Sequence, residues 1–313
     1  MEYFVVSLLN GTIYGLLLFM VSAGLTLIFG MMGVLNFSHA SFYMVGAYLA
    51  FTLARPLGFW PAILIAPLPV GLLGIAVERF ILRRVHRHGH AHELLVTFGL
   101  SLVIAEIVKL FYGNYPVDFH VPTSLNFAAF HIFGSDYPAY RVFMGLISLV
   151  MFGLVFLLLT RTRAGIIVRS AIYKPRMAEA LGHNVPLVFM GVFGVGTMLA
   201  GLAGAVAGAF YTTSPSMALD FGVIVFVVVV VGGLGSLEGA MIASLLIGLV
   251  SSFAVGIDRS VADLCALFGA REWAEHVGGL MTLNISSLAG TFPFVLMLLV
   301  LMLRPSGLMG DKG

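Results

Sequence analysis

Hydrophobic positions in this chain run in long, nearly unbroken blocks. Candidate spans cover about 4–30, 37–54, 61–82, 94–112, 141–160, 187–211, 217–231, 237–256 and 289–303. Several reach the roughly 20 apolar residues that a helix needs to cross a bilayer. In lipid every backbone donor and acceptor must be satisfied within the protein, which restricts the choice to helices and closed barrels. Strands of a membrane barrel alternate polar and apolar residues. These blocks are apolar on nearly every face. The pattern predicts an all-α, polytopic transmembrane helical bundle of about eight to nine spans, including broken or half helices, in one transmembrane domain over 1–313.

Two blocks are interrupted in the same manner. "VIVFVVVVVGGLGSLEGAMIASLLIGL" (Val223 to Leu249) turns from valines to glycine, serine and glutamate, then becomes apolar again. "FGMMGVLNFSHASFYMVGAYLA" (Phe29 to Ala50) does so through glycine, asparagine, serine and histidine. Paired broken spans in two halves of a chain point to a solute route in transport proteins. The polar residues of both breaks, Asn36, Ser38, His39 and Ser41 in one and Gly233, Gly235, Ser236 and Glu238 in the other, are the candidates for lining such a route.

Charge orients the bundle. Basic residues cluster at Arg79, Arg83, Arg84 and Arg87, at Arg161, Arg163, Arg169, Lys174 and Arg176, and at Arg304 and Lys312. The segments 113–140 and 257–288 instead carry Asp118, Asp136, Asp258, Asp263, Glu272 and Glu275. The positive-inside rule makes the basic groups cytoplasmic and the two acidic segments outer loops. Counting passes then puts the GGLGS turn at or near the cytoplasmic side, with the short pass before it as a half-helix, and the N-terminus outside. Segment 259–277 reads as an amphipathic helix at the outer interface.

Composition agrees. The 313 residues are 60% hydrophobic and 10% charged, with mean hydropathy +1.07, whereas a soluble domain is about a quarter charged. Cys265 is the one cysteine, so no intrachain disulfide can form. The opening MEYFVVSLLNGTIYG lacks a basic lead and reads as the start of a retained span.

Other features change the picture less. Gly196, Ala200, Gly204 and Gly208 fall on one helical face, where small residues let backbones approach; a smooth wall for a moving solute is the functional alternative. An ionisable group at membrane depth costs roughly 3 kcal/mol or more, which singles out His39, Glu106, Lys109, Asp220 and Glu238. Glu106 and Lys109 are spaced i,i+3 and can neutralise each other. Glu238 suits a helix N-terminus. His86, His88, His90 and His92 alternate, but in an extended loop they fan apart beside Arg84 and Arg87, and no metal site is expected there. The chain has no Gly-Lys-Ser/Thr string, so no phosphate-binding loop. The loop 161–186 is the sizeable inner polar stretch. Within it Ala178 to Leu181 reads as a short helix stopped by Gly182, with Pro186 beyond.

Four stretches together resemble a known family. "GLTLIFGMMGVLNFSHASFYMVGAY" (Gly24 to Tyr48), "MAEALG" (Met177 to Gly182), "VVVGGLGSLEGAMIASLLIG" (Val229 to Gly248) and "LRPSGLMG" (Leu303 to Gly310) are similar to the LivH-like branched-chain amino-acid permeases of bacterial ABC importers. The resemblance implies a multi-pass subunit in the bacterial inner membrane that passes branched-chain amino acids or related small solutes. It implies a second, homologous permease, two cytosolic ATPase subunits that use ATP and magnesium, an extracytoplasmic solute-binding protein and surrounding lipid, with no nucleic acid and no cofactor in this chain. The coupling loop would use Arg176, Ala178, Glu179, Ala180 and Gly182. Here it departs from the family pattern, keeping only Glu179-Ala180 and Gly182 at a shorter spacing. A proton-coupled secondary transporter using His39 and Glu106 is the alternative within transport. An intramembrane enzyme is disfavoured, because neighbouring Ser38 and His39 side chains diverge on a helix.

Overall fold

The computed structural model describes residues 2–310 apart from 34, 133, 258, 267 and 268. Asp258 and Lys312 therefore lie outside the described residues, as do the side chains of Arg87 and Glu275. Among the described residues seven helices are long and apolar enough to cross a membrane. Two further passes, His39–Leu57 and Met217–Gly232, carry the sequence breaks at one end.

In chain order the helices are α1 (Glu2–Met32), α2 (His39–Leu57), α3 (Phe59–Val85), α4 (His90–Tyr112), α5 (Ala139–Arg161), α6 (Arg163–Tyr173), α7 (Pro175–Ala180), α8 (Val185–Ala207), α9 (Met217–Gly232), α10 (Leu237–Val255), α11 (Val261–Ala266), α12 (Arg271–Val277) and α13 (Phe292–Leu303). An antiparallel hairpin of β1 (Ala128–Ile132) and β2 (Ser135–Pro138) sits in the segment between α4 and α5.

Helix α1 is the axis of the bundle. In its most apolar stretch 89% of residues are buried, against 17% in α4. Glycines allow this. A Cβ on Gly15 would lie 2.7 Å from the Leu245 Cα of α10, and one on Gly11 would lie 2.8 Å from the Leu249 Cα. In a membrane no hydrophobic effect drives helices together, so close backbone packing supplies the attraction. The stripe on α8 has the same use. Gly196 faces Gly24 and Ile28 of α1, Gly204 faces the Tyr43 carbonyl of α2, and Ala200 is fully buried. The stripe is packed against helices.

The helix ends that carry Arg83 and Arg161 gather with the two breaks at one end of the bundle. Arg83 donates to the Pro186 carbonyl at 2.9 Å, tying the end of α3 to the start of α8. Gly30 lies against Gly235 at that same end. At the opposite end Tyr3 donates to the Phe253 carbonyl at 2.6 Å, and the Val117 amide donates to the Thr213 carbonyl at 2.9 Å.

Several segments differ from expectation. The loop after Arg161 holds the eleven-residue α6, whose start is capped by the Thr162 hydroxyl accepting from the Gly165 amide at 3.1 Å. Segment 259–277 is two short helices rather than one. Gly269, at φ +71°, closes α11 by donating to the Ala266 carbonyl, a glycine stop of the kind that ends helices. The histidine run is not extended either. His86–His88 make a 3₁₀ turn, Gly89 breaks at φ +94°, and His90 and His92 sit in the first turn of α4. His86 and His90 there both approach the buried carboxylate of Glu93.

A candidate translocation cleft at the first helix break

Helix α1 stops where Gly33 turns at φ +64° and donates to the Phe29 carbonyl at 2.8 Å. Asn36 then shapes the turn into α2. Its Oδ1 accepts from the Ser38 amide at 3.0 Å and from the Ser38 hydroxyl at 2.6 Å, while its own carbonyl accepts from the His39 amide at 3.1 Å. An asparagine side chain standing in for backbone partners is a common way to start a helix.

The break opens on a cleft of about 720 Å³ between α2, α4 and α9. Asn36 lines it from the turn, His39 and Ser41 from α2, Ser101, Glu106 and Lys109 from α4, and Ser214 and Ser216 from the turn into α9. Apart from Asn114, its remaining wall is apolar. Phe37 stacks on Phe226 at 6.0 Å between ring centroids and meets Phe98 edge-on at 6.5 Å. A mostly apolar concavity with a few converging polar groups is the usual form of a small-molecule site.

His39 lies deep in the bundle and is 1% exposed. Its Nε2 lies 3.0 Å from the Val21 carbonyl, midway along α1. A carbonyl only accepts, so Nε2 carries the hydrogen. Nδ1 has no partner, and neither does the Nδ2 amide nitrogen of Asn36. Buried polar atoms are nearly always paired, and leaving one unpaired costs about 1–3 kcal/mol. Both residues belong to one wall of the cleft, and both unpaired atoms are themselves buried in it. Ser41 reaches the Ser101 carbonyl at 3.4 Å, and Lys109 pairs with Glu106 at 2.6 Å along the rim.

The second break is built differently. Gly233 and Gly235 take φ of +101° and +85°, values that favour glycine. A Cβ on Gly235 would lie 2.8 Å from the Gly30 Cα, and one on Gly233 would lie 2.7 Å from the Gly310 Cα. The segment after α13 closes over this turn. The Leu308 amide donates to the Val231 carbonyl at 2.8 Å, and the Met309 amide donates to the Gly232 carbonyl at 3.0 Å. The Ser236 hydroxyl accepts from the Gly239 amide at 3.0 Å and caps α10. Glu238 is exposed in the first turn of that helix. None of Gly233, Gly235, Ser236 or Glu238 lines the cleft. Asn36, His39 and Ser41 do, with Ser38 buried behind them.

The inner loop forms a separate feature. Gly182, at φ +86°, donates to the Glu179 carbonyl at 2.9 Å, and His183 donates to the Ala178 carbonyl at 3.0 Å. That paired closure is the glycine stop read from the sequence. Ala178 is buried with Ala171 and Val185. Arg176, Glu179 and Ala180 are exposed, as are Met177 and Leu181. Helices α6 and α7 enclose a cleft of about 450 Å³ that includes Ile166, Arg169, Lys174 and Leu181.

A bundle of membrane-crossing helices with a polar-lined cleft at a helix break is the build of a transport protein. Comparison with known proteins makes this specific. The model of the family described as "Branched-chain amino acid transport system / permease component" matches residues 7–301. The chain belongs to that family: it is a multi-pass membrane protein and a transport subunit, not an enzyme. It is 26% identical to the high-affinity branched-chain amino acid transport system permease protein LivH of Salmonella typhimurium, over 98% of this chain and 96% of that one. It is 27% identical to BraD of Pseudomonas aeruginosa, with the same coverage. A probable LivH of Methanocaldococcus jannaschii is 27% identical over 77% of this chain and 78% of its own. Among solved structures, PsaBC from Streptococcus pneumoniae in complex with Fab covers 95% of this chain and 91% of its own at 12% identity and TM-score 0.45, too distant to carry an argument.

Proposed function

We propose that this chain is the membrane-spanning subunit of an ATP-binding cassette importer in a bacterial inner membrane, and that it passes branched-chain amino acids or close relatives. The end-to-end match to the permease family carries the reading. The cleft adds a physical reason. Asn36 and His39 offer buried polar atoms without partners, and Phe37, Phe98 and Phe226 offer apolar surface for an aliphatic side chain.

In this reading the cleft is half of a route, and a second, homologous permease closes its open side. Helix α7 with Met177 and Leu181 exposed on it is the knob on which a cytosolic ATPase subunit docks. That partner binds ATP and magnesium, since this chain has no phosphate-binding loop. A solute-binding protein delivers cargo at the opposite end. Closure of the ATPase pair shifts the permease between two states, as a ligand shifts any two-state element that it binds differentially.

The test is uptake in proteoliposomes. Vesicles holding the chain with its co-purifying permease and ATPase subunits should accumulate labelled leucine only when ATP and the binding protein are both supplied. Accumulation by the chain alone, driven by a pH gradient, would replace this reading with proton-coupled transport.

A further inference from the structure

On the far side of α1 from the cleft lies a second cavity, of about 950 Å³, at the end of the bundle where the acidic segments emerge. It is bounded by α1, α5, α10 and the turn that holds Tyr211. Arg141, the third residue of α5, is half-buried in its wall. No acidic side chain lies within 4.0 Å of this guanidinium among the described residues. The nearby Asp136 is paired with His131.

What holds Arg141 leaves it unfinished. Its Nη1 donates to the Asn10 Oδ1 of α1. The guanidinium carbon stands 5.2 Å from the centre of the Phe210 ring and 5.8 Å from that of Tyr137. Aromatic faces steady a cation, and the Tyr137 hydroxyl lies against the fork as well. Asn10 and the Tyr137 hydroxyl engage two of the five N–H donors of the fork. The hydroxyls of Tyr14, Tyr211 and Ser251 line the same cavity and have no hydrogen-bond partner among the described residues. A cation at the end of a span, uncompensated and facing free hydroxyls, calls for an anion.

We propose that this cavity binds the carboxylate of a small solute, with Arg141 as its bidentate partner and Tyr14, Tyr211 and Ser251 as accessory donors. A carboxylate has the two parallel oxygens that an arginine fork matches. The cavity is roomy enough for an amino acid or a short fatty acid attached to that group. The assignment does not depend on the transport reading, because it is measured on the purified chain without any ATPase subunit.

The probes are sodium isovalerate, which has a carboxylate and no amine, leucinamide, which has the amine and no carboxylate, and L-leucine. Calorimetry on the chain in neutral detergent should give binding of isovalerate and leucine and none of leucinamide. Arg141→Lys keeps the charge and loses the fork, and should weaken isovalerate at least about tenfold. Tyr211→Phe and Ser251→Ala each remove one donor and should weaken it by about two- to tenfold; they decide the matter where Arg141→Lys does not yield monodisperse protein. Three results overturn the proposal: leucinamide binding as well as isovalerate, unchanged affinity in these variants, or a loss seen in His39→Ala instead, which would put the carboxylate in the cleft. Binding of phosphatidylglycerol in nanodiscs with no carboxylate binding would make the site one for lipid phosphate and would also overturn it.

Discussion

The two helix breaks look alike as strings of letters and are opposites as structures. At residues 33–38 the chain turns with one glycine, and an asparagine side chain fixes the geometry. Beside it, two buried polar atoms of the cleft wall, Asn36 Nδ2 and His39 Nδ1, are left unpaired. At residues 233–236 the turn is held by glycine backbones pressed against Gly30 and Gly310, and the Ser236 hydroxyl is taken up as the cap of α10. One break conserves binding capacity for something else. The other uses it up internally. The difference lies in what packs outside the turn: a solute-sized space at the first, and the segment 304–310 at the second.

Substitutions can break or sharpen this contrast. The largest effect belongs to Gly235→Val. It adds a side chain where a Cβ would meet the Gly30 Cα at 2.8 Å, in a backbone region that β-branched residues avoid. A loss of several kcal/mol, seen as aggregated protein on size-exclusion chromatography, is expected. A well-folded variant would show that the second break is looser than described.

His39→Ala comes next and tests the other side. It removes the side chain at the cleft wall and its bond to the Val21 carbonyl. Uptake should fall at least about tenfold while the amount of folded protein is kept, because polar contacts in a buried site are worth about 1–3 kcal/mol. Unchanged uptake would remove His39 from the route. Asn36→Ala should lower both uptake and melting temperature. It loses two hydrogen bonds that shape the turn, together worth about 1–3 kcal/mol.

The smallest effects belong to the second break. Ser236→Ala should cost about 1 kcal/mol of stability through the lost cap and leave the KM for leucine unchanged. A raised KM with unchanged stability would bring this turn back into the route. Glu238→Gln should change neither quantity measurably, as expected of an exposed carboxylate at a helix start.

The bundle was legible because its determinant is one-dimensional. Long apolar blocks must be helices in lipid, and the clustering of Arg79, Arg83, Arg84, Arg161 and Arg163 set the orientation of the ends. The first break was legible for the same reason, since Asn36, Ser38 and His39 interrupt an apolar run. Their unequal fates were not: Ser38 spends its hydroxyl on Asn36, and His39 keeps Nδ1 free. The two breaks could not be told apart either, because the segment around Leu308 that seals the second is remote in sequence from it. Arg141 was missed for a related reason. At the start of a span it reads as an interfacial anchor, and its partners Asn10 and Phe210 come from α1 and from the turn after α8, both distant in sequence. Helix α6 carries too many cations to stand out as a span, though the Thr162 cap three residues before Gly165 was there to be read. The β-hairpin near His131 lies in a segment where no periodicity stood out.

The hydrogen bonds from Leu308 and Met309 to Val231 and Gly232 have a consequence for biosynthesis. The carbonyls that end α9 enter the bilayer early, while their donors are still unmade on the ribosome. Until α13 has threaded through the translocon and delivered that strand of amides, the α9–α10 hairpin carries an open seam. A chain ending before residue 304 would leave the Val231 and Gly232 carbonyls without these donors.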